Sequence, residues 1–341
     1  MHNANKVNFM FLKNRKVLVT GAGGFIGSHL TEALYKSNCG KIRAFIHYNS
    51  QNRWGNIEFL PGYIKKDLEI ILGDLRDSLS VKNAVKGMDL IFHLGAIISI
   101  PYSYAAPQSF FETNATGTLN VFQAALEERI EKVIHTSTSE AYGSALYVPI
   151  DEKHPLQAQS PYSASKIAAD KIAESYYRSY DLPVAVIRPF NTYGPRQSAR
   201  AIIPTILTQV LQKNNKKIKL GSLHPIRDMN YVEDIVNGFF QIARSEKSIG
   251  EVINIGSGIG VSIKELAEKI ITSFNADAKI EIKKERIRPE KSEVSQLICN
   301  NKKAKKLLNW EPRISLEEGL KRTKNYIVDN LEKYKSEIYN I

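Results

Sequence analysis

The sequence predicts an α/β protein built on a doubly wound parallel sheet, with a smaller α/β lobe towards the C-terminus. Two observations predict this class. Short apolar runs rich in β-branched residues alternate with helix-like stretches up to Arg188, and prolines then divide the chain into shorter elements. The 341 residues, 43% of them hydrophobic and 24% charged, are enough to bury a sizeable core.

Six apolar runs predict the strands of the main sheet. The runs are Lys16–Thr20, Ile42–His47, Leu68–Leu72, Leu90–Leu94, Lys132–Thr136 and Val184–Arg188. Between several of them lie stretches with helical patterns, namely Gly27–Ser37, Asn114–Glu128 and Tyr162–Tyr180. Strands that alternate with helices form parallel sheets with both faces covered, and continuously apolar strands suit such burial.

The prolines after Arg188 mark a change of organisation. One strand-like run, Glu251–Ile255, is placed to return to the main sheet. We therefore expect residues 1–188, with a return strand near 251–255, to form one domain, and residues 189–341 to form mainly a ligand-binding lobe.

Composition restricts the partners. The net charge of +12 fits a lysine-rich surface, or a positive field that attracts anionic substrates. No zinc-finger, RRM or basic-zipper spacing accompanies it, so we expect no nucleic-acid partner. The two cysteines give no metal or disulfide spacing, and no apolar run approaches the roughly 20 residues of a membrane span. The expectation is a cytoplasmic protein without metal.

Three glycines between the first strand and the first helix indicate a dinucleotide site. Gly21, Gly24 and Gly27 form a G-x-x-G-x-x-G pattern that also contains Phe25 and Ile26. Glycines permit the tight turn and let a pyrophosphate approach the N-terminus of the helix. A plain strand-to-helix turn is the alternative, but the pattern opens the first βαβ unit, where the Rossmann fingerprint belongs.

The ends of the second and third strands bear on the choice of cofactor. An acidic residue after the second strand favours NAD, whereas this chain has Asn49, Ser50 and Arg53 there. NADP is therefore permitted, and NAD remains open. Asp74 and Leu75 follow the third strand, where Asp74 either binds the adenine edge or caps a turn.

Tyr162 and Lys166 stand at positions i and i+4 of a predicted helix. Such residues share one helix face. An ammonium near a phenol stabilises the phenolate and lowers the pKa of the tyrosine, which makes Tyr162 a plausible base. The pair alone is common on solvated helices, but here it follows a dinucleotide fingerprint.

This combination resembles the extended short-chain dehydrogenase/reductase family over nearly the whole chain. The resemblance includes residues 92–96, 191–196 and 227–234, although Gly95 replaces the alanine of many members. It implies that Tyr162 is the catalytic base and that Lys166 holds the nicotinamide ribose. The cofactor would be NADP or NAD, tightly bound and recycled within the reaction.

The motif Thr138-Ser139-Glu140 separates activities within the family. Strand alternation would place Thr138 and Glu140 on one side. C4-epimerases usually have a small or hydroxyl residue at the Glu140 position, whereas nucleotide-sugar 4,6-dehydratases have a glutamate. The resemblance therefore implies a dehydratase, in which Tyr162 deprotonates the sugar 4-hydroxyl, Glu140 removes the C5 proton and water leaves from C6. Ser139 lacks the acidity of the aspartate found in many dehydratases, so we expect Glu140 to serve both steps.

A diphosphate-sugar substrate requires basic and polar groups at the other end of the site. Arg is suited to bidentate phosphate contacts. Each arginine alone is as easily a surface residue, but the family uses two of them for nucleotide binding, in motifs that here contain Arg227 and Arg288. The candidates for substrate binding are Asn191, Arg196, Arg200, Arg227, Arg288 and Glu293.

At finer detail, several segments resemble the 4,6-dehydratases of bacterial legionaminic-acid biosynthesis. The segments are residues 47–50, 54–55, 100–104, 189–200, 221–225 and 288–294. The resemblance implies a GDP-N-acetylglucosamine substrate and a homodimer formed by helices near Asn114–Glu128 and Tyr162–Tyr180. A C4-epimerase is the nearest alternative, and a silent dinucleotide sensor or nucleic-acid binder is the alternative from another class.

Overall fold

A sheet of parallel strands organises the part of the chain that the computed structural model describes, residues 9–212, 216–274, 276–335 and 338–340. The strands in these ranges are β1 (Lys16–Thr20), β2 (Lys41–His47), β3 (Glu69–Gly73), β4 (Leu90–His93), β5 (Lys132–Thr136), β6 (Val184–Pro189), β7 (Thr192–Tyr193), β8 (Lys217–Leu220), β9 (Ile226–Asp228), β10 (Asn230–Tyr231), β11 (Val252–Ile255), β12 (Gly260–Ser262), β13 (Lys279–Ile282) and β14 (Gln296–Leu297).

Helices connect and cover these strands. Those of the described residues are α1 (Phe25–Lys36), α2 (Gly62–Asp67), α3 (Ser78–Val85), α4 (Ile100–Ala105), α5 (Pro107–Phe110), α6 (Gly117–Glu127), α7 (Pro161–Tyr180), α8 (Ile202–Leu211), α9 (Val232–Arg244), α10 (Ile263–Ser273), α11 (Lys302–Leu308) and α12 (Leu316–Val328). Short 3-10 turns and one π-helical turn link some of them.

Seven of the described strands form the main sheet in the order β11-β6-β5-β4-β1-β2-β3, and every pairing is parallel. This is the Rossmann-type architecture that the sequence predicts, so the fold class is confirmed. The chain order reverses between β1 and β4, and α/β proteins of this kind bind ligands in the crevice at such a switch point.

Both faces of the sheet are buried, which explains the continuously apolar strands. Val17 and Val19 of β1 pack on one face with residues of α1 and α9, while Leu18 packs on the other face with residues of α3, α6 and α7. All three side chains are fully buried. Side chains of a strand alternate between the two faces, so one short run supplies both cores.

The helix predicted over Asn114–Glu128 differs from the observed structure at its start. Residues Phe111–Thr116 form a π-helical turn, and α6 begins only at Gly117. The amide of Asn114 bonds to the backbone N–H and C=O of Ile97 and donates to the hydroxyl of Ser165. These bonds tie the turn to the neighbouring loop and to α7, a local deviation typical of functional regions.

Elements from both halves of the chain share one hydrophobic cluster. Ile235 and Phe239 of α9 belong to the same cluster as Val17 of β1, and the predicted return strand is observed as β11 beside β6. The division into domains at residues 188 and 189 therefore stays a prediction. None of the described helices has the length and apolar character needed to cross a bilayer.

Candidate active site

A cleft of about 1120 Å³ opens at the carboxyl ends of the central strands. Its floor comes from the residues that follow β1, β4 and β5, and its far wall comes from β8, β9 and the segment around Arg288. The cleft therefore lies at the switch point of the sheet and joins the two halves of the chain.

The glycine-rich turn lines one end of this cleft and is built for close backbone approach. Gly21 has a φ of +70°, and a Cβ there would lie 2.8 Å from the backbone nitrogen of Gly95. A Cβ on Gly27 would lie 2.2 Å from the carbonyl oxygen of Gly21. Gly24 is the N-cap residue of α1, so no capping side chain covers the start of the helix. Phe25 and Ile26 follow it and also line the cleft. The exposed N-terminus of α1 suits a pyrophosphate.

The loops after β2 and β3 hold the residues predicted to bind the adenosine part of a cofactor. Asn49 folds back on its own loop, because its amide group bonds to the backbone N–H and C=O of Arg53. Asn49 and Arg53 line the cleft, whereas Ser50 is exposed and lies outside the residues that line it. The cofactor-binding role of Ser50 stays a prediction.

Asp74 directly follows β3 and caps a turn, which is one of the two roles expected from the sequence. Its carboxylate accepts hydrogen bonds from the backbone N–H and guanidinium of Arg76, at 2.9 and 2.6 Å. The pairing with Arg76 lowers the pKa of Asp74. Asp74 and Leu75 also line the cleft, and the Asp74 carboxylate lies 3.7 Å from His47 at the end of β2. The tertiary structure therefore brings a carboxylate to a place where the sequence shows none.

Tyr162 and Lys166 occupy the cleft face of α7. Ser160 forms a capping box with Ser163, and Pro161 occupies the first turn, so the helix starts just before the tyrosine. Tyr162 packs edge-on against Phe110, and Lys166 donates a hydrogen bond of 2.7 Å to the carbonyl oxygen of Thr136. Both side chains line the cleft and are buried.

The expected effect of Lys166 on the phenol is wrong for this structure. Burial raises the pKa of Tyr162 to about 12, and a hydrogen bond with Thr138 opposes the rise only in part. Burial also lowers the pKa of Lys166 to about 8. The ammonium is directed to the Thr136 carbonyl, so desolvation dominates at the phenol.

Thr138 and Glu140 reach the cleft by a different route from the one expected. β5 ends at Thr136, and Ser139–Tyr142 form a 3-10 turn, so strand alternation does not apply to them. The Thr138 hydroxyl accepts a hydrogen bond from the backbone N–H of Glu140, which starts this turn. Glu140 lines the cleft, where burial raises the pKa of Tyr162 and the charge of Glu140 adds to this effect. Burial lowers the pKa of Arg227, and the same charge opposes that effect. The carboxylate therefore lies close enough to the phenol for its charge to act on it.

The substrate end of the cleft contains a cluster of two arginines around one carboxylate. Glu293 lies 3.5 Å from Arg227 and 3.6 Å from Arg288. Arg227 is buried, and burial lowers its pKa. Glu293, a candidate for substrate binding, therefore also holds the two guanidinium groups in place. The cluster keeps one net positive charge for an anionic ligand.

Arg196 and Arg200 are placed differently from these two arginines. The Arg196 guanidinium lies 2.8 Å from Glu32 of α1 and contacts the ring of His29, so it joins its loop to α1. That pairing engages the guanidinium expected to bind a diphosphate. Arg200 is exposed at the cleft rim and donates to the hydroxyl of Ser198. The substrate roles of Arg196 and Arg200 stay predictions.

Three buried polar atoms in the cleft wall have no hydrogen-bond partner within the described residues. They are Thr136 Oγ1, Asn191 Oδ1 and Gln197 Oε1. An unpaired buried polar group costs about 1–3 kcal/mol, so their place in one cleft indicates a polar ligand. Together with the glycine-rich turn, this lining fits a dinucleotide beside a nucleotide sugar. The sequence analysis missed Thr136 and Gln197 as site residues. Thr136 ends a predicted strand, and Gln197 directly follows the family segment 191–196.

Comparisons with known proteins match almost the whole chain. The family described as GDP-mannose 4,6 dehydratase matches residues 18–323. The human dTDP-D-glucose 4,6-dehydratase is 30% identical over 328 residues, which cover 94% of this chain and 92% of the relative.

Solved structures also match almost the whole chain. The dTDP-glucose 4,6-dehydratase of Streptomyces venezuelae, determined with NAD bound, is 28% identical, with a TM-score of 0.84 over 94% of this chain and 99% of that one. The UDP-N-acetylglucosamine 4-epimerase of Methanobrevibacter ruminantium is 29% identical, with a TM-score of 0.83 over 93% and 99% of the two chains. With the glycine-rich turn and the Tyr162–Lys166 pair in one cleft, this chain belongs to the GDP-mannose 4,6-dehydratase family of enzymes, within the extended short-chain dehydrogenases/reductases.

Proposed function

We propose that this enzyme is an NAD(P)-dependent nucleotide-sugar 4,6-dehydratase that forms a 4-keto-6-deoxy sugar. One observation carries the proposal: the side chains of Glu140, Tyr162 and Lys166 line a single cleft between the glycine-rich turn and the Arg227–Glu293–Arg288 cluster. A phenol, an ammonium and a carboxylate are the groups that oxidation and dehydration of a sugar require.

In the proposed reaction, Tyr162 and Glu140 carry out different proton transfers. Gly21, Gly24, Gly27 and Lys166 would hold a nicotinamide dinucleotide in the cleft, which would supply an acceptor for the hydride of C4 and a donor of the same hydride to C6. Tyr162 takes the proton of the 4-hydroxyl, with Thr138 as its hydrogen-bond partner. The 4-ketone acidifies the C5 proton, which Glu140 removes before water leaves from C6. Ser139 is buried and carries no acidic proton, so Glu140 also protonates the departing hydroxyl. C5 takes up a proton when the hydride adds to C6, which completes the 4-keto-6-deoxy sugar.

Replacing Glu140 tests this assignment. Glu140→Gln keeps the shape of the side chain but removes the base, so dehydration should fall by at least about 100-fold while substrate affinity stays within about threefold. Product mass measures turnover, because dehydration removes 18 daltons, and calorimetry measures binding. Glu268→Gln, an exposed carboxylate of α10, is the matched control and should keep full activity. Normal dehydration by Glu140→Gln would remove this residue from the mechanism.

A nucleotide-sugar C4-epimerase is the second candidate function. The similarity to the epimerase of Methanobrevibacter ruminantium favours it. Against it stands Glu140, because epimerisation at C4 needs no base near C5. The two functions differ in product mass, which epimerisation leaves unchanged.

For the substrate we propose GDP-N-acetylglucosamine, on a route to legionaminic-acid-like surface sugars. Support comes from the resemblance of the segments around the cleft and from a pair at its far wall. The guanidinium of Arg286 lies over the ring of Tyr339, 4.6 Å from its centroid, and both line the cleft. Such a pair offers a stacking surface to a purine, and arginine is the side chain that most often reads guanine. Incubation with GDP-, UDP-, CDP- and dTDP-sugars tests the base.

The cofactor choice between NAD and NADP rests on the loops after β2 and β3. Arg53 lies at the cleft and suits a 2′-phosphate, while Asp74 is neutralised by Arg76. The similar dehydratase of Streptomyces venezuelae was determined with NAD. We propose that the enzyme accepts both, and the ratio of their dissociation constants measures the preference.

We further propose that the enzyme is a cytoplasmic homodimer. The exposed faces of α6 and α7 carry Leu119 and Tyr180, which would pack against the same helices of a second copy. The two cysteines, Cys39 and Cys299, are both free thiols, as a reducing compartment requires.

A further inference from the structure

A buried ion pair lies behind the cleft, one helical turn beyond Lys166. Asp170 of α7 and Arg188 of β6 are 6% and 2% exposed. The Arg188 guanidinium donates a hydrogen bond of 2.6 Å to the Asp170 carboxylate. Replacing a buried ion pair by apolar residues of similar volume is often neutral or stabilising, so stability alone does not explain why two charges are buried here.

The ion pair joins the end of β5 to α7. The Ser137 hydroxyl donates to the Asp170 carboxylate at 2.6 Å and accepts from Arg188 Nε at 3.2 Å. The preceding residue, Thr136, accepts the hydrogen bond from Lys166. Two successive residues of the chain are thus tied to two successive turns of α7. The next residues along the chain are the site residues Thr138 and Glu140, so these ties determine where both side chains lie.

The charged and titratable groups around the pair come from several elements. His135 of β5 lies 3.2 Å from the Asp170 carboxylate and stacks on His93 of β4. Burial lowers the pKa values of both histidines, so they are neutral at neutral pH. Arg188 also lies over the ring of Tyr142. Among the described residues, the charges that act on Lys166 and Tyr162 are therefore that of Asp170, for both groups, and that of Glu140, for Tyr162.

Asp170 acts on both cleft residues of α7. Its negative charge raises the pKa of Lys166 and that of Tyr162. For Lys166, the carboxylate opposes the larger effect of burial and helps to retain the ammonium. For Tyr162, the carboxylate adds to the larger effect of burial, which raises the pKa of the phenol.

We propose that the Asp170–Arg188 pair is a positioning element of the active site. The effect that we expect on catalysis rests on the proposed function. Through Ser137 the pair holds the segment with Thr138 and Glu140 against α7, and it sets the electrostatic potential at Lys166 and Tyr162. Neither residue of the pair lines the cleft.

A double variant tests the electrostatic part. Asp170→Asn with Arg188→Met removes both buried charges and leaves neither unpaired, so the protein retains its fold. The ammonium of Lys166 then loses a stabilising carboxylate, and the phenolate of Tyr162 loses a destabilising one. The titration of Lys166 should therefore move to lower pH. NMR of ¹³C-labelled lysine measures this titration, and the Lys166→Met variant identifies the signal of Lys166. Both limbs of the pH profile of kcat should move to lower pH.

The exposed ion pair of the same helix is the matched control. Glu174→Gln with Arg178→Met removes a pair 3.0 Å apart on the solvent face of α7 and should move neither titration nor pH profile. Ser137→Ala tests the positioning part: kcat should fall about tenfold, with KM and the pH limbs unchanged.

Two results would overturn the inference. The first is a Lys166 titration in the double variant that matches the control, and the second is full kcat in Ser137→Ala. The NMR titration needs no turnover, so it also separates this inference from the proposed function. A wild-type enzyme that dehydrates no nucleotide sugar, but whose Lys166 titration moves as expected, would reject the proposed function and leave the electrostatic coupling standing.

Discussion

At the scale of single residues, the cleft places its chemical groups where they are costly to keep charged. Lys166 is 4% exposed, and burial lowers its pKa from 10.5 to about 8. This difference corresponds to about 3 kcal/mol of lost stability at neutral pH. The loss is complete below the folded pKa and disappears as the pH rises from about 8 towards 10.5, because the unfolded chain then also releases the proton.

Lys166→Met should therefore stabilise the protein while abolishing turnover. We expect the free energy of unfolding at pH 7 to rise by about 1–2 kcal/mol, less than the full difference because the hydrogen bond to Thr136 is also lost. Urea unfolding at pH 7 and at pH 9.5 measures this, and the advantage of the variant should shrink at the higher pH. Lys171→Met, an exposed lysine of the same helix, should change stability little. A variant less stable than the wild type at pH 7 would contradict this account.

At the scale of elements, α7 supplies the cleft with two side chains whose spacing is set by the helix itself. Its start is determined by the Ser160–Ser163 capping box, two residues before Tyr162. Fraying of this first turn would displace the phenol from Thr138. The cap therefore contributes to the geometry of the site as well as to the stability of the helix.

Removing the Ser160 cap should consequently affect both properties. Ser160→Ala should lower the free energy of unfolding by about 1 kcal/mol and reduce kcat about tenfold. The matched control is Ser315→Ala, which removes the N-cap of α12, a helix that does not line the cleft. This control should show a similar loss of stability with unchanged kcat. Equal kcat values in the two variants would show that the Ser160 cap does not contribute to the geometry of the active site.

At the scale of the whole molecule, α6 and α7 have one face on the sheet and another exposed. Phe122 of α6 and Tyr176 of α7 pack in the core, whereas Leu119 and Tyr180 of the same helices remain 41% and 56% exposed. Exposed apolar groups on neighbouring helices are typical of an interface between copies. Helix α7 also carries Tyr162 and Lys166, so a dimer would also support the cleft.

Leu119→Glu should then convert a dimer to a monomer. A charge at the centre of an apolar interface is strongly unfavourable, so sedimentation should show half the mass. Ile259→Glu places the same charge at a more exposed position, 73% accessible in the loop before β12, and should leave the mass unchanged. A dimer in both variants would place the interface elsewhere.

The sequence by itself determined the features that arise from local patterns. The main-sheet strands occur within one residue of their predicted ends, because apolar runs between turn residues define them. The positions of Gly21, Tyr162 and Lys166 follow from a turn and a helical repeat, which are short-range properties.

Only the tertiary structure decided the features that depend on contacts between distant residues. Arg196 lines the cleft but pairs with Glu32 of α1, Asp74 lies near the end of β2, and Glu140 lies on a 3-10 turn that follows β5. The Asp170–Arg188 pair joins residues 18 positions apart and has no local signature. Desolvation also reversed the expected direction of the Tyr162 pKa, because burial is a property of the packed molecule.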